Sequence, residues 1–381
     1  MTLLKNQALG LLMLGAIAVA MPACKKKEGC TDPTATNYDP DADKDCCCEY
    51  ATPTPSNVVT VSGSLTANTT WDNSHQYLLS GFVYVEDGVT LTIQPGTIIK
   101  GDKPTKGTLI IKRGGRINAV GTSASPIVFT SNQPAGSRDY GDWGGIIICG
   151  KANNNQPGGE ALIEGGPDAY YGGGTSPDDA DNSGTLSYVR IEFPGIALQP
   201  NQEINGLTLG AVGSGTTIDH IQVSYSGDDS YEFFGGAVNA RNIVALRGWD
   251  DDFDSDNGFR GRVQFAVSLR DPNIADQSGS NGFESDNDAS GTTTAPYTQP
   301  VFSNVSILGP YAVSASAPNT QFKRAAHIRR NSRCNIHNSV IAGFPTGLLI
   351  DGAPAETNAT NNDLQVRHTA LAGCPSALEV V

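Results

Sequence analysis

Short β-branched and aromatic runs, separated by turns that contain glycine, follow one another along the chain from residue 58 onward. Residues 82–85, 89–93, 108–111 and 126–129 are the first of these runs. Apolar side chains at every second position are typical of strands that point one set of residues inward. No amphipathic helix pattern interrupts the runs, so a fold of alternating strands and helices is not expected.

The runs also repeat at a short spacing. Ile221, Ile243 and Phe265 occupy the same place in three successive runs, which gives two steps of 22 residues, and later steps are longer. Stacked coils produce such spacing, because each coil needs its strands but can carry a loop at any corner. The sequence therefore predicts an all-β solenoid in which each turn lies on the one before it.

The composition fits this expectation and limits the possible partners. The 381 residues include 44 glycines and 22 prolines but 3 methionines, as expected for many short strands joined by tight turns. The formal net charge is −14. A nucleic-acid backbone requires a basic surface, so no nucleic acid partner is expected.

The first residues have the pattern of an export signal. Lys5 precedes an apolar run over residues 8–20, and the small residue Ala23 stands directly before Cys24. This run is shorter than the roughly 20 apolar residues of a bilayer span, so it indicates a signal peptide. The end of the run resembles the lipobox of bacterial lipoproteins, which implies that Cys24 becomes the lipidated first residue. The alternative is an ordinary secretory signal with an incidental cysteine.

Four zones are predicted. They are the signal peptide (residues 1–23), a lipid-anchored segment rich in cysteine and aspartate (24–50), a linker (51–57) and the solenoid (58–381). We expect the solenoid to lack a C-terminal cap or to be incomplete. The last predicted strand is 366–372, and only a short segment ending in two valines follows it. Uncapped solenoid ends expose backbone edges, so the final coils are expected to fray or associate.

Acidic residues carry the strongest chemical signal. Asp252, Asp254 and Asp256 alternate in one run, and a second run of the same kind comprises Asp39, Asp41, Asp43 and Asp45. Alternating carboxylates can converge on one Ca²⁺, which takes six to eight oxygen ligands. The sequence therefore predicts calcium as a bound ion.

The repeat spacing extends this acidic pattern over several coils. A step of 22 residues would place Asp251 above Asp229, and adjacent strands lie about 4.8 Å apart. Stacked carboxylates repel one another unless a cation, a basic partner or protonation intervenes. One acidic face is predicted from Asp228, Asp229, Glu232, Asp250, Asp251, Asp252, Asp254, Asp256, Glu284, Asp286 and Asp288. The alternative is a solvated acidic ladder that holds no specific ion.

A basic cluster follows the acidic runs. It comprises Lys323, Arg324, His327, Arg329, Arg330 and Arg333. These side chains could pair with the acidic face or cover the edge of a coil. Alternatively, Arg324, Arg329 and Arg330 could bind an anionic glycan, because guanidinium groups suit carboxylates and sulfates.

Several longer motifs resemble a known family. They are the segments 89–96, 141–145, 226–236, 250–258 and 281–288. These segments are similar to those of pectin-lyase-like right-handed parallel β-helices, and more narrowly of Gram-negative surface lipoproteins. The resemblance implies a right-handed parallel β-helix and transfers no catalytic role. Residues 29–50 resemble a short cysteine module of such proteins, which implies a disulfide between Cys30 and Cys48 and leaves Cys46 and Cys47 unexplained.

The expected function is non-catalytic. We expect an outer-membrane lipoprotein on the cell surface or the periplasmic face, serving as an adhesin or glycan-binding scaffold stabilised by calcium. Its partner would be an extracellular glycan or another surface protein. The alternative is a calcium-dependent polysaccharide lyase or glycoside hydrolase that uses Asp228, Asp229 and Arg329. The companion motifs Gly-His-Gly and Arg-Ile-Lys are missing from the sequence.

Replacing Cys24 by Ser is expected to release the protein from membranes into the soluble fraction, because one residue would carry the whole anchor. Fractionation of cells that express the two forms measures this. Equal membrane partition of both forms would contradict the lipoprotein interpretation.

Overall fold

The computed structural model describes residues 27–33, 35–48, 57–199, 202–314 and 317–381. The chain divides into two compact units, residues 1–54 and 55–381. The predicted signal peptide and Cys24 lie outside the described residues. No helix in the described part of the chain is long and apolar enough to cross a membrane.

Short strands account for most of the regular structure. Besides a 3-10 turn at Pro157–Gly159, the described residues contain the helices α1 (Pro310–Val313) and α2 (Ala353–Thr360). The strands are β1 Glu28–Gly29, β2 Lys44–Asp45, β3 Val58–Leu65, β4 Thr69–Trp71, β5 Gln76–Val85, β6 Thr90–Ile93, β7 Ile98–Gly101, β8 Thr108–Ile111, β9 Arg116–Val120, β10 Ile127–Ser131, β11 Gly145–Cys149, β12 Ala161–Leu162, β13 Tyr170–Tyr171, β14 Gly184–Glu192, β15 Ile196–Gln199, β16 Gln202–Ile204, β17 Leu207–Gly210, β18 Thr217–Ser224, β19 Tyr231–Phe234, β20 Asn239–Leu246, β21 Phe253–Asp256, β22 Arg262–Leu269, β23 Phe283–Ser285, β24 Val301–Leu308, β25 Arg324–Ile328, β26 Asn335–His337, β27 Val340–Ala342, β28 Thr346–Ile350, β29 Val366–Arg367, β30 Ala370–Ala372 and β31 Ser376–Val380.

The first unit is small and cross-linked. Its strands β1 and β2 pair in parallel. Cys30 and Cys48 form the disulfide that the family resemblance implied, and Cys46 and Cys47 form a second one between neighbouring residues.

The second unit is a parallel β-helix, as the sequence predicted. Its 25-stranded sheet bends so that each coil contributes to three stacks of parallel strands. Stack A contains β4, β6, β9, the first halves of β14, β18, β20, β22 and β24, then β26 and β29. Stack B contains the first halves of β3 and β5, then β7, β10, the second halves of β14, β18, β20, β22 and β24, and finally β27 and β30. Stack C contains the second halves of β3 and β5, then β8, β11, β17, β19, β21, β23, β25, β28 and β31.

The bend between stacks A and B corrects one sequence alignment. Ile243 pairs with Ala266, not with Phe265, so this step is one residue longer than predicted. Phe265 instead occupies the bend, with a φ of 59° and half of its surface exposed. Asn242 and Asn304 occupy the bends of the neighbouring coils in the same left-handed conformation. The sequence aligned Phe265 with Ile243 because the alternation pattern does not reveal which residue makes the bend.

Aromatic rings fill the interior beneath stack C. Tyr231, Phe253 and Phe283 are register partners on β19, β21 and β23. The ring centroids of successive partners are 5.6 Å apart. All three side chains are buried. Such aromatic pairs add about 0.5–1.5 kcal/mol each beyond the area they bury, so they favour this register of the coils.

Two insertions cover the outer face of stack C over the early coils. Residues 150–183 contain the hairpin β12–β13, and residues 193–206 contain the hairpin β15–β16. Together with outward side chains of stack C they form a second apolar cluster, which includes Ile110, Ile147 and Tyr171. The outer face of the later coils is lined by carboxylates.

The C-terminal segment corrects a second expectation. Residues 366–372 are not the last strand-forming residues, because Ser376–Val380 forms β31 and pairs in parallel with β28. The short apolar tail therefore completes a coil in stack C. The sequence pattern missed it because the repeat was identified from strands of stacks A and B, whereas β31 belongs to stack C.

Replacing Phe265 by Asn should stabilise the β-helix by about 1 kcal/mol, because a bulky residue is costly at positive φ and Asn tolerates it. Urea unfolding followed by circular dichroism measures the change. Val267→Asn is the matched control, since Val267 is also exposed on β22 but is absent from the positive-φ residues. Equal effects of the two substitutions would contradict this account of the bend.

Candidate cation-binding groove

An open groove of about 1010 Å³ lies on the outer face of stack C. Its walls come from the hairpin β15–β16 on one side and residues 276–279 on the other. Arg329 is the only basic residue in the lining. The acidic residues of the lining are Glu164, Glu203, Asp228, Asp229, Glu232, Asp250, Asp251, Asp254, Asp276 and Glu284.

The strand register builds a column of carboxylates along the floor. Glu232 on β19 pairs with Asp254 on β21, which pairs with Glu284 on β23. The next register partner is His327 on β25. Side chains at one register position share a face, and parallel strands lie about 4.8 Å apart. The carboxylates are therefore held beside one another by the backbone.

A second column lies in the turns that precede these strands. The backbone N–H of Asp251 donates to Asp229 Oδ1 at 2.8 Å, and the N–H of Asn281 donates to Asp251 Oδ1 at 2.5 Å. The predicted stacking of Asp251 on Asp229 is therefore confirmed. Neighbouring backbone donors compensate part of the repulsion between the two side chains.

The basic cluster neutralises one end of the acidic face. Arg329 donates from Nε to Asp286 Oδ1 at 2.8 Å and also bonds to Glu284, while Arg330 donates to Asp286 Oδ2 at 2.8 Å. His327 lies between Glu284 and Asp351. Burial raises the pKa of Glu284, but the hydrogen bond with His327 and the charge of Arg329 outweigh it and hold this pKa below its usual range.

At the opposite end, Asp229, Glu232 and Asp254 form no ion pair with any described residue, and the charge of Arg270 lowers the pKa of Asp250 only in part. Burial raises the pKa values of Asp229, Glu232 and Asp254 well above the usual range, and neighbouring carboxylates raise them further. Burial and the charge of Asp276 raise the pKa of Asp250 to about 7. Arg329, the only basic residue of the groove lining, is bound to Glu284 and Asp286. The carboxylates at this end therefore need protons or an external cation to offset their mutual repulsion.

Hydrogen bonds orient most of these carboxylates through one oxygen. Asn205 donates from Nδ2 to Glu232, and its Oδ1 accepts the backbone N–H of Asp229 at 3.2 Å. Ser278 donates to Asp250 Oδ2 at 3.1 Å. Asp254 differs, because its Oδ1 is buried and has no hydrogen-bond partner among the described residues. A buried carboxylate oxygen without a partner is costly, which makes it a candidate ligand for a cation.

Two groups of three carboxylates have ligand spacing. Asp229, Glu232 and Asp254 each bring one oxygen within 4.8 Å of the others, and so do Asp228, Asp229 and Asp250. Calcium binds oxygen at 2.3–2.6 Å, so oxygens on opposite sides of one ion are about 5 Å apart. Either group can therefore contact one calcium ion, and Asp229 belongs to both.

Other predicted ligands lie away from this groove. Asp252 forms a buried ion pair with Arg270 at 2.8 Å and also accepts from Ser268, because it precedes β21 and points inward. Asp286 is bound by Arg329 and Arg330. Asp288 accepts hydrogen bonds from Thr292 in a turn.

Asp256 lies outside the groove lining as well. It follows Asp254 by two residues on β21, and burial together with the charge of Asp286 raises its pKa to about 8. The acidic face therefore continues past the groove along the same strand.

The aspartates of the first unit serve local contacts. Asp39 pairs with Lys27 at 2.7 Å, Asp41 lies 4.0 Å from Lys27, and the Lys27 backbone N–H donates to Asp43. Asp45 accepts from the Thr31 N–H and hydroxyl. Among the described residues, no three of these aspartates bring ligand atoms within 4.8 Å of one another.

The arginines predicted to bind a glycan do not share one site. Arg329 lines the groove but is held by two carboxylates, and Arg330 is held by Asp286. Arg324 lines a separate cavity together with Glu379. The ion pairs of Arg329 with Glu284 and Asp286 also engage the guanidinium that the lyase alternative would need as a base.

Sequence reasoning missed the residues that insertions contribute. Asn205, Glu164 and Glu203 come from the segments around the two hairpins, whose lengths follow no repeat. Burial and a hydrogen bond with Glu203 raise the pKa of Glu164 to about 7. Only the excess of acidic residues in the whole chain could have suggested that these insertions add to the acidic face.

Fold and groove together define a parallel β-helix with a carboxylate-lined outer face. Residues 63–380 match the pectate-lyase-like β-helix domain, and the chain belongs to this family. A solved structure with some likeness is the catalytic domain of a GH87 α-1,3-glucanase in complex with tetrasaccharides, at 11% identity and a TM-score of 0.27, covering 89% of this chain and 70% of that one. No curated protein matches the chain. Likeness of this degree says nothing about the chemistry of the groove.

In the presence of a chelator, the melting temperature is expected to fall as the pH rises from about 4 to about 8. Carboxyls with raised pKa values, such as Asp250 (about 7) and Asp256 (about 8), bind protons more tightly in the folded state. Their stabilising effect is full below the unfolded pKa near 4 and is lost as the pH passes the folded value. Calorimetry across this range measures the trend, which Asp250→Asn should flatten. A melting temperature that rises over the same range would contradict it.

Proposed function

We propose that this chain is a lipid-anchored surface protein whose β-helix is a non-catalytic, calcium-stabilised scaffold for binding a glycan. The observation that carries the proposal is the group of carboxylates Asp229, Glu232 and Asp254, together with the buried Oδ1 of Asp254, which has no hydrogen-bond partner among the described residues. The rigid coils hold these oxygens in place before any ion arrives.

The donor set favours calcium over other common ions. The residues that line the groove include no histidine or cysteine, the preferred ligands of zinc and copper. Magnesium demands near-octahedral geometry at shorter distances and usually keeps several waters. Calcium accepts irregular sets of carboxylate oxygens, so the uneven arrangement of aspartates and glutamates suits it best.

The charge contacts support a scaffold rather than a lyase. A base must be free to accept a proton from the substrate, and Arg329 is bound to Glu284 and Asp286. A glycoside hydrolase is the second candidate, because Asp228 and Asp229 both line the groove and burial raises both of their pKa values. Release of reducing or unsaturated ends in a glycan turnover screen would favour the enzyme.

The anchor and the location rest on the leader alone. The apolar run before Cys24 supports export and lipidation, with the β-helix displayed on the cell surface or the periplasmic face of the outer membrane. Its partner would be an extracellular glycan or another surface protein. The acidic surface disfavours nucleic acid.

Calcium is expected to raise the melting temperature of the wild-type protein, because an ion bound only by the folded state stabilises it by about 2.7 kcal/mol at a hundred times its Kd. Asp254→Asn should abolish most of this shift. Scanning calorimetry with calcium and with chelator measures both.

Asp256→Asn is the matched control, since Asp256 lies on the same strand but belongs to neither carboxylate group. It should retain the calcium shift. If Asp254→Asn keeps the full shift, or if Asp256→Asn alone loses it, the ion is bound elsewhere than we propose.

A further inference from the structure

A second cavity of about 640 Å³ adjoins the acidic groove. It lies between the hairpins β12–β13 and β15–β16, and we call it the hairpin cleft. Glu164 and Leu198 line both the cleft and the groove. A ligand longer than one sugar ring could therefore extend from one into the other.

The lining of the cleft is amphipathic. Phe82, Tyr171 and Phe234 contribute aromatic rings, and those of Tyr171 and Phe234 stack at 6.0 Å. Gln156, Gln202 and Asn257 contribute amides. Mostly apolar walls with a few convergent polar groups are typical of small-molecule sites. A sugar ring combines apolar C–H faces with hydroxyls that both donate and accept, which matches this lining.

The charges of the acidic groove select against an anionic ligand, whereas the cleft lining is balanced, with Glu164 and the exposed Lys106. The carboxylates of the groove would repel it, and Arg329 is already bound to Glu284 and Asp286. A neutral ligand avoids this repulsion. Its hydroxyl oxygens can also complete the six to eight ligands of calcium, since three carboxylates leave coordination positions open.

We propose that the hairpin cleft and the acidic groove together bind a neutral glycan chain. A sugar ring packs on the half-buried Phe82, beside the buried pair Tyr171 and Phe234 that also lines the cleft. Hydroxyls of a neighbouring sugar bind the calcium ion at Asp229, Glu232 and Asp254. This inference rests on the proposed function and adds to it the place and the charge of the glycan.

Affinity electrophoresis in native gels tests the proposal. Gels contain calcium and one of four polysaccharides: galactomannan, xyloglucan and dextran, which are neutral, or polygalacturonate, which is anionic. We expect at least one neutral polysaccharide to slow the wild-type protein, and polygalacturonate not to slow it. Phe82→Ala should weaken this binding about tenfold, as expected for the loss of an aromatic contact.

Tyr84→Ala is the matched control. Tyr84 follows Phe82 by two residues on β5, stacks on it at 6.3 Å, is half-buried like it, and does not line the cleft. It should leave the mobility shift unchanged. Gln202→Ala offers a second test on an exposed side chain where folding is not at risk, and it should also weaken the shift.

The outcomes separate this inference from the proposed function. Slowing by polygalacturonate alone, or equal slowing of wild type, Phe82→Ala and Gln202→Ala by a neutral polysaccharide, would overturn the inference and leave a glycan-binding scaffold. No slowing in any gel would overturn the inference together with the glycan-binding part of the function. A calcium-dependent rise in melting temperature would then still support the cation site.

Discussion

Backbone pairing between successive coils is the constraint on which the rest of this structure depends. Each strand of stack C pairs in parallel with the strand one turn earlier, so register partners lie about 4.8 Å apart. Side chains of the same kind, at the same register position of successive coils, therefore form columns. Inside, the rings of Tyr231 and Phe253 stack and attract. Outside, the carboxylates of Glu232 and Asp254 meet at the same register, where they repel unless another charge is supplied.

The protein supplies that charge at one end of the acidic face only. Arg329 and Arg330 bind the carboxylates of Glu284 and Asp286, so that end is balanced by the chain itself. At the other end the aspartates around Asp229 have backbone and amide donors but no base. Hydrogen bonds from neutral donors orient carboxylates without removing their mutual repulsion. This unbalanced charge is the reason why we propose a cation in the groove, since the coils limit how far the side chains can move apart.

The insertions give this face its boundaries. The segments 150–183 and 193–206 cover the early coils with a second apolar cluster, and the hairpin β15–β16 lines both the aromatic cleft and the acidic groove that adjoins it. Each coil can grow such a loop at a corner without disturbing the strands that stack below it. In this architecture the coils provide rigidity, while the insertions determine the shape and the polarity of the surface that a ligand meets.

The sequence by itself determined the all-β solenoid and the stacking of Asp251 on Asp229, because repeat spacing fixes which residues of successive coils are neighbours, and the family resemblance specified the solenoid as a parallel β-helix. It did not determine which way side chains face where the chain turns. Phe265 lies at a bend and is not the register partner of Ile243, and Asp252 points inward to Arg270 although it alternates with Asp254. Alternation holds only within a strand, whereas turn conformations and the paths of insertions depend on packing against distant residues. For that reason only the tertiary structure could bring Asn205 to the carboxylates and assign the arginines to one end of the acidic face.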